Sequence, residues 1–211
     1  MLLILAVALS YFIGSIPSAY LLGKLIKGVD IRKHGSGNVG ATNAFRVLGP
    51  GVGITVLFLD ALKGFICVVA VSDFLIKQGL DFDSLLIRIL LGVTAVLGHS
   101  LTIFLRFRGG KGMATTLGVL IGLAAKIPAL KIILLAEILI WWTVFLLSRI
   151  VSLASVVSAI FFPIIFIILR QPMALIIMSL LLGIFVIIRH KSNINRLLHK
   201  QEPRLSFRHK A

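Results

Sequence analysis

An all-α, polytopic membrane bundle of seven transmembrane helices is the fold this sequence predicts, and three observations predict it. Hydrophobic residues make up 59% of the 211-residue chain and charged residues only 14%, where an ordinary soluble domain carries about a quarter charged residues; mean hydropathy is +1.10. The apolar residues run in unbroken stretches such as 2–22 and 151–169, long enough to cross a hydrocarbon layer of about 30 Å at about 1.5 Å per residue. Lysine and arginine fall between those stretches, at 24, 27, 32, 33 and 46, at 106, 108 and 111, at 149, and from Arg189 to Lys210. Basic loops of this kind mark the cytoplasmic side of a membrane.

Taken in order, the predicted spans are 2–22, 52–71, 85–105, 113–125, 127–147, 151–169 and 173–188. The first has no basic residue ahead of it, since the first charge is Lys24, so it reads as a retained span and not as a cleaved leader. Within the second, Asp60 and Lys63 stand one helical turn apart and compensate each other, either structurally or at a substrate cavity. The fourth reaches only about 20 Å as a straight helix and could be re-entrant, but parity counts it as crossing. With an extracellular N-terminus and seven crossings, every basic cluster and the C-terminus lie inside. The outer loops then keep Asp73, Asp81 and Asp83 with Lys77, followed by Lys126 and Lys131, and then Arg170. Glu137, in the fifth span, has no partner nearby in sequence; a cation on another span or a proton-linked role are its two readings. Residues 191–211 read as an amphipathic interfacial tail, with Ile194, Leu197 and Leu198 at helical spacing. One membrane domain, 1–211, is expected. Cys67 is the only cysteine, so neither an internal disulfide nor a cysteine-rich metal site is possible.

The net charge of +15 would suggest nucleic acid in a soluble protein, but its confinement to loop ends assigns it to the membrane surface, and no nucleic-acid partner is expected. Four loop segments carry the chemistry. The first, residues 34–46, holds Gly35, Ser36, Gly37, Asn38, Thr42, Asn43 and Arg46. Its glycines let successive N–H groups converge on an anion, and the neutral donors and Arg46 add to them if a helix starts near Val39. A tight turn of small residues is the bland alternative; with these donors present, phosphate binding is the stronger reading. The G-x-G-x-x-G spacing does not indicate a dinucleotide site, because no strand-helix-strand unit surrounds it.

The second segment joins Gly98-His99 to Gly109-Gly110-Lys111-Gly112, with Lys111 at the start of the fourth span, where helix N–H groups point outward. A second anion site and a basic turn gripping headgroups fit it equally well when it is viewed alone. The third places Arg149 and Ser152 in a short inner loop, where interfacial anchoring is the simpler reading. In the fourth, His190, Asn193 and Arg196 recur every three residues, and a helix continuing from the last span would stack them on one face, with Glu202 following.

Together these motifs resemble the bacterial membrane acyltransferases that acylate glycerol 3-phosphate from acyl-phosphate donors. The resemblance covers essentially the whole chain: 35–43 followed by Arg46, Gly98-His99 through 109–112, Arg149 with 151–155, and Arg189-His190 followed by Asn193 and Arg196. One departure is visible, in that the family tends to have glycine two residues before the tail glutamate, where this chain has Lys200. The resemblance implies a seven-span bundle in the bacterial inner membrane with its active site at the cytoplasmic face. It also implies transfer of an acyl group from acyl phosphate to glycerol 3-phosphate, giving lysophosphatidate and phosphate for phospholipid synthesis.

Acyl phosphate, glycerol 3-phosphate and membrane lipid are the implied partners, with a functional link to the enzyme that makes acyl phosphate. No cofactor is implied, and no His/Asp/Glu metal spacing is present. A mixed anhydride with phosphate as leaving group needs two anion sites and oxyanion donors more than a protein nucleophile. Ser36, Asn38, Arg46 and Lys111 suit the donor phosphate and the transition state, and His190, Asn193 and Arg196 suit glycerol 3-phosphate. Gly35, Gly37, Thr42, Asn43, His99, Gly110, Gly112, Arg149, Ser152 and Glu202 complete the expected substrate contacts. The hydroxyl proton goes to His99, to His190 or to the donor phosphate itself. A transporter of organic phosphates is the rival reading, disfavoured because such sites lie near the bilayer midplane, whereas these motifs cluster at one face.

Overall fold

The computed structural model describes residues 1–79 and 82–205; Leu80, Asp81 and the tail residues 206–211 lie outside the described residues. Among the described residues the structure is helical throughout, without strands. It packs as two compact units, Met1–Pro128 and Ala129–Ala211.

The first unit opens with α1 (Leu2–Ser15) and α2 (Ser18–Lys27). The sequence reads as one run over 2–22; the chain instead bends by 41° between the two helices. Pro17 has no N–H to continue the ladder, and the Ile16 carbonyl left at the break accepts from Ser18 N–H at 3.1 Å and from the Lys63 ammonium. After the loop come α3 (Ala41–Leu48) and α4 (Pro50–Ile66), the latter extended by a π-helical turn (Cys67–Val71) into α5 (Ser72–Lys77). The π turn frees main-chain carbonyls from the regular ladder, and Arg88 Nη1 donates to that of Val68 at 2.8 Å. Arg88 also meets Asp73 at 2.6 Å, and Lys126 joins the same carboxylate, so Asp73 is balanced by two cations from farther along the chain.

Asp83 caps the following helix, α6 (Ser84–Ser100), accepting from the N–H groups of Leu85 and Leu86 at 2.7 and 3.1 Å. The end of α6 is strapped to α1 by Tyr11 Oη donating to Leu101 O at 2.7 Å and by Thr102 Oγ1 donating to Ser15 O at 2.6 Å. Then α7 (Met113–Lys126) packs on α4 so closely that a Cβ on Gly118 would lie 1.8 Å from the Ala61 carbonyl oxygen. Small residues of this kind let membrane helices approach where apolar attraction alone cannot hold them.

The second unit contains α8 (Lys131–Ser148), α9 (Val151–Ile168), α10 (Met173–Arg189) and α11 (Lys191–Leu198). Pro163 inside α9 leaves the Ala159 carbonyl without its usual donor, and Gly183 of α10 packs against it, where a Cβ would come within 2.6 Å. Glu137 of α8 accepts from Ser158 of α9; its hydrogen-bond partner is a neutral hydroxyl, not a cation from another span. The last helix does not run straight into the tail as expected but bends by 61° before α11. Among the described residues, four helical stretches are long and apolar enough to cross a membrane, two bent pairs pass the same test together, and Met113–Lys126 is a shorter apolar helix.

Candidate active site

In the first unit the glycine-rich segment is a built loop. Asp30 starts it by accepting from the Arg32 main-chain N–H at 3.1 Å and from the Arg32 guanidinium at 2.6 Å. The Arg32 hydrogen bond holds the Asp30 carboxyl down at about 2. At the centre is Asn43, buried on the first turn of α3. Its amide nitrogen donates to the carbonyls of Asn38, His34 and Ile31 at 2.9, 3.1 and 3.3 Å, and its Oδ1 accepts from Ser36 N–H at 2.9 Å. One side chain thus ties down residues 31–38. Gly35 makes this possible: its φ is +59° and a Cβ there would lie 2.3 Å from Asn43 Oδ1, so a side chain would meet both backbone strain and collision.

The sequence places Asn43 among the direct substrate contacts; the structure engages its amide with the loop, leaving Ser36 exposed and Asn38, Thr42 and Arg46 half-buried around it. Gly37 takes a second left-handed position, with φ +70°. The helix starts at Ala41, two residues later than expected, because Gly40 is still extended. The apolar core beneath the loop, Ile31, Val39, Ala44 and Leu48, also includes Leu105 of the second segment, so both segments fold around one centre.

That second segment turns back on α6. Gly109 N–H donates to Ser100 O at 3.0 Å and Gly110 N–H to His99 O at 3.1 Å. The His99 ring is buried directly beneath Gly110, where a Cβ would lie 2.1 Å from Nε2. Gly112, with φ +84°, then turns the chain into α7, which leaves half-buried Lys111 at the mouth of that helix. The positive end of the helix dipole and an ammonium coincide there, as an anion site requires.

In the second unit the tail glutamate organises the remaining residues. Glu202 Oε1 accepts from Ser152 Oγ at 2.7 Å and from Asn193 Nδ2 at 2.6 Å, and Oε2 accepts from Arg196 Nε at 2.7 Å. Burial alone would push this carboxyl up, but the hydrogen bonds from Ser152, Asn193 and Arg196 outweigh it and hold the group below the usual carboxylate value of 4.5. Arg149 stands apart from that cluster, exposed, in a left-handed conformation at the end of α8, its carbonyl accepting from Leu205 N–H at 2.8 Å.

His190 is buried at the bend before α11, and its Nδ1 lies 2.8 Å from Val186 O. A carbonyl only accepts, so Nδ1 carries a proton there. Lys200 takes φ +57°, a conformation that suits glycine better: a non-glycine residue in this region costs about 1–2 kcal/mol. Lys200→Gly is therefore expected to raise stability by about 0.5–1 kcal/mol, the larger chain entropy of glycine in the unfolded state offsetting the rest. A thermal unfolding series in detergent checks this, and an unchanged or lowered midpoint would count against a strained turn.

Comparison with known proteins places these clusters in a family. The model for "Glycerol-3-phosphate acyltransferase" matches residues 4–200. A glycerol-3-phosphate acyltransferase from Fusobacterium nucleatum is 44% identical over 201 residues, 95% of this chain and 97% of that one. One from Synechococcus elongatus is 42% identical over 210 residues, 99% of this chain and 97% of that one. The crystal structure of PlsY (YgiH), an integral membrane glycerol 3-phosphate acyltransferase in its glycerol 3-phosphate form, superposes with a TM-score of 0.84 at 38% identity, covering 97% of this chain and 96% of that one. Its lysophosphatidic acid form gives 0.81 with the same coverage. With the motif loops built as described and the likeness running from end to end, the chain belongs to the glycerol-3-phosphate acyltransferase family.

Proposed function

We propose that this membrane enzyme transfers a fatty acyl group from acyl phosphate to a hydroxyl of glycerol 3-phosphate, giving lysophosphatidate and inorganic phosphate as the first acylation of phospholipid synthesis. The observation that carries the reading is the placement of Lys111, which follows Gly109 and Gly110, whose N–H groups are bonded to the end of α6, and stands at the N-terminus of α7. That ammonium and the helix N-terminus receive the donor phosphate, and the loop organised by Asn43 supplies Ser36, Asn38 and Arg46 to the same group and to the developing oxyanion. Glu202 orients Asn193 and Arg196 toward the phosphate of glycerol 3-phosphate, and His190 Nε2 accepts the hydrogen bond of the attacking hydroxyl. The hydroxyl oxygen forms the new ester bond as the carbonyl–phosphate bond breaks, phosphate departs with the electron pair, and the hydroxyl proton passes to His190 Nε2. The occurrence of a relative in a form with lysophosphatidic acid supports this product.

Purified protein given acyl phosphate and glycerol 3-phosphate is expected to release lysophosphatidate and phosphate in equal amounts. A folded preparation that forms neither, or that requires a thioester donor instead, would remove the proposal.

The same reading sets the chain as one seven-span domain in the bacterial inner membrane, with the N-terminus outside, both anion sites cytoplasmic, and a functional link to the enzyme that produces acyl phosphate. The basic segments support this orientation. A cysteine placed at Ala211 is expected to resist an impermeant thiol reagent in intact cells and to react once they are opened; ready labelling of intact cells would overturn the orientation.

A further inference from the structure

Beneath the 109–112 loop three titratable side chains from two helices converge. Asp60 and Lys63 come from α4 and His99 from the end of α6, and they are 1%, 5% and 7% exposed. Lys63 Nζ lies 2.5 Å from Asp60 Oδ1 and also donates to the Ile16 carbonyl at the Pro17 break. The same Asp60 oxygen is 3.7 Å from His99 Nδ1, beyond a hydrogen bond yet close enough for its field to act on the ring in a medium of low polarity. The other edge of that ring is covered by Gly110, with no room for a Cβ, and the His99 carbonyl accepts the Gly110 N–H. Lys111 is the next residue.

A chain of contact therefore runs from the helix break at Pro17, through Lys63 and Asp60, to the ring that supports the loop carrying Lys111. As a stabilising device alone the ion pair is poor, because desolvation rivals its attraction. Ionisable residues inside a membrane protein point by default to function.

We propose that Asp60 and Lys63 are positioning residues for acyl transfer: locked to each other and to the Ile16 carbonyl, they fix the His99 ring and through it the height and direction of the 109–112 loop. The proposal deepens the acyl-phosphate reading and rests on it. Asp60 and Lys63 themselves touch no substrate. A misplacement of the loop by about 1 Å is sufficient to lower turnover about a hundred-fold.

The test is a set of variants in purified, detergent-solubilised enzyme. Asp60→Asn with Lys63→Gln removes both charges together and leaves no lone ion buried. It is expected to stay folded, to lose about a hundred-fold in kcat and to keep the KM for glycerol 3-phosphate within about two-fold. Combined with His99→Gln it is expected to add little further loss, because both changes act through one ring. Wild-type kcat in the neutral double variant, or losses that multiply with His99→Gln, would overturn the proposal. Should the neutral pair fail to fold, Asp60→Glu keeps the pair while moving the carboxylate against His99. It is expected to lower kcat about ten-fold with the KM for glycerol 3-phosphate unchanged, and full activity there would equally overturn it. Failure of the wild-type enzyme itself to use acyl phosphate would instead remove the underlying reading, so the two failures are distinct.

Discussion

Lys111→Met is expected to lower kcat by about 10²–10³-fold, the range seen when one preorganised donor to a developing negative charge is removed. Methionine fills a similar volume without an ammonium, and position 111 lies ahead of the first residue of α7, so the helix and its packing against α4 through Gly118 stay intact. The departing phosphate gains charge as the carbonyl–oxygen bond breaks, and the ammonium counts most at that point. The loss should therefore fall on kcat more than on the KM for acyl phosphate. Steady-state kinetics on folded protein decides it; a variant within about three-fold of wild-type kcat would exclude Lys111 from transition-state stabilisation.

Glu202→Ala is expected to act on the other substrate, lowering kcat/KM for glycerol 3-phosphate about a hundred-fold, chiefly through KM. Three side chains lose one anchor: Ser152, Asn193 and Arg196 all donate to this carboxylate. Buried donors left without an acceptor cost about 1–3 kcal/mol, and the guanidinium loses the partner that sets its plane. Glu202→Gln separates charge from geometry, since an amide oxygen still accepts from Ser152 or Asn193 but no longer offsets the arginine.

The pH dependence follows from the same ties. The folded group titrates below the usual 4.5, so the anchoring is complete above that value and is lost as pH falls through the lowered one. The KM for glycerol 3-phosphate of the wild type is accordingly expected to show no Glu202 titration from neutrality down to the ordinary carboxylate range. A rise in KM beginning well above that range and absent from Glu202→Gln would contradict the assignment.

The helices and the motif loops could be read from residue patterns because those are local properties. Apolar runs are limited by chain geometry, and glycine beside Ser36, Asn38 and Lys111 marks a tight polar turn from the local sequence alone. What the pattern could not supply was direction. Asn43 looks like any other donor of the first loop, and its engagement with three carbonyls is decided by the left-handed turns at Gly35 and Gly37, which bring those carbonyls together. Ser152 and Glu202 are 50 positions apart, too far for any helical spacing to connect them. Asp60 and Lys63 were visible as a pair at one turn, but the contact with His99 depends on how α6 lies against α4. Both misplaced helix continuations, at Pro17 and at His190, share a cause: hydropathy follows the bilayer and does not register where the backbone bends.

The π turn at Cys67–Val71 gives this enzyme a counted length. Each residue added to or removed from a helix rotates everything beyond it by about 100°, and a π turn holds one residue more than a regular turn would. Deleting Val69 or Ala70 would let the segment relax to ordinary α-helix and swing Asp73 away from both Arg88 and Lys126. Substitutions along this stretch alter only volume, whereas a single-codon deletion would change the phase of the helix, so the region should tolerate exchange of residues far better than any change in their number.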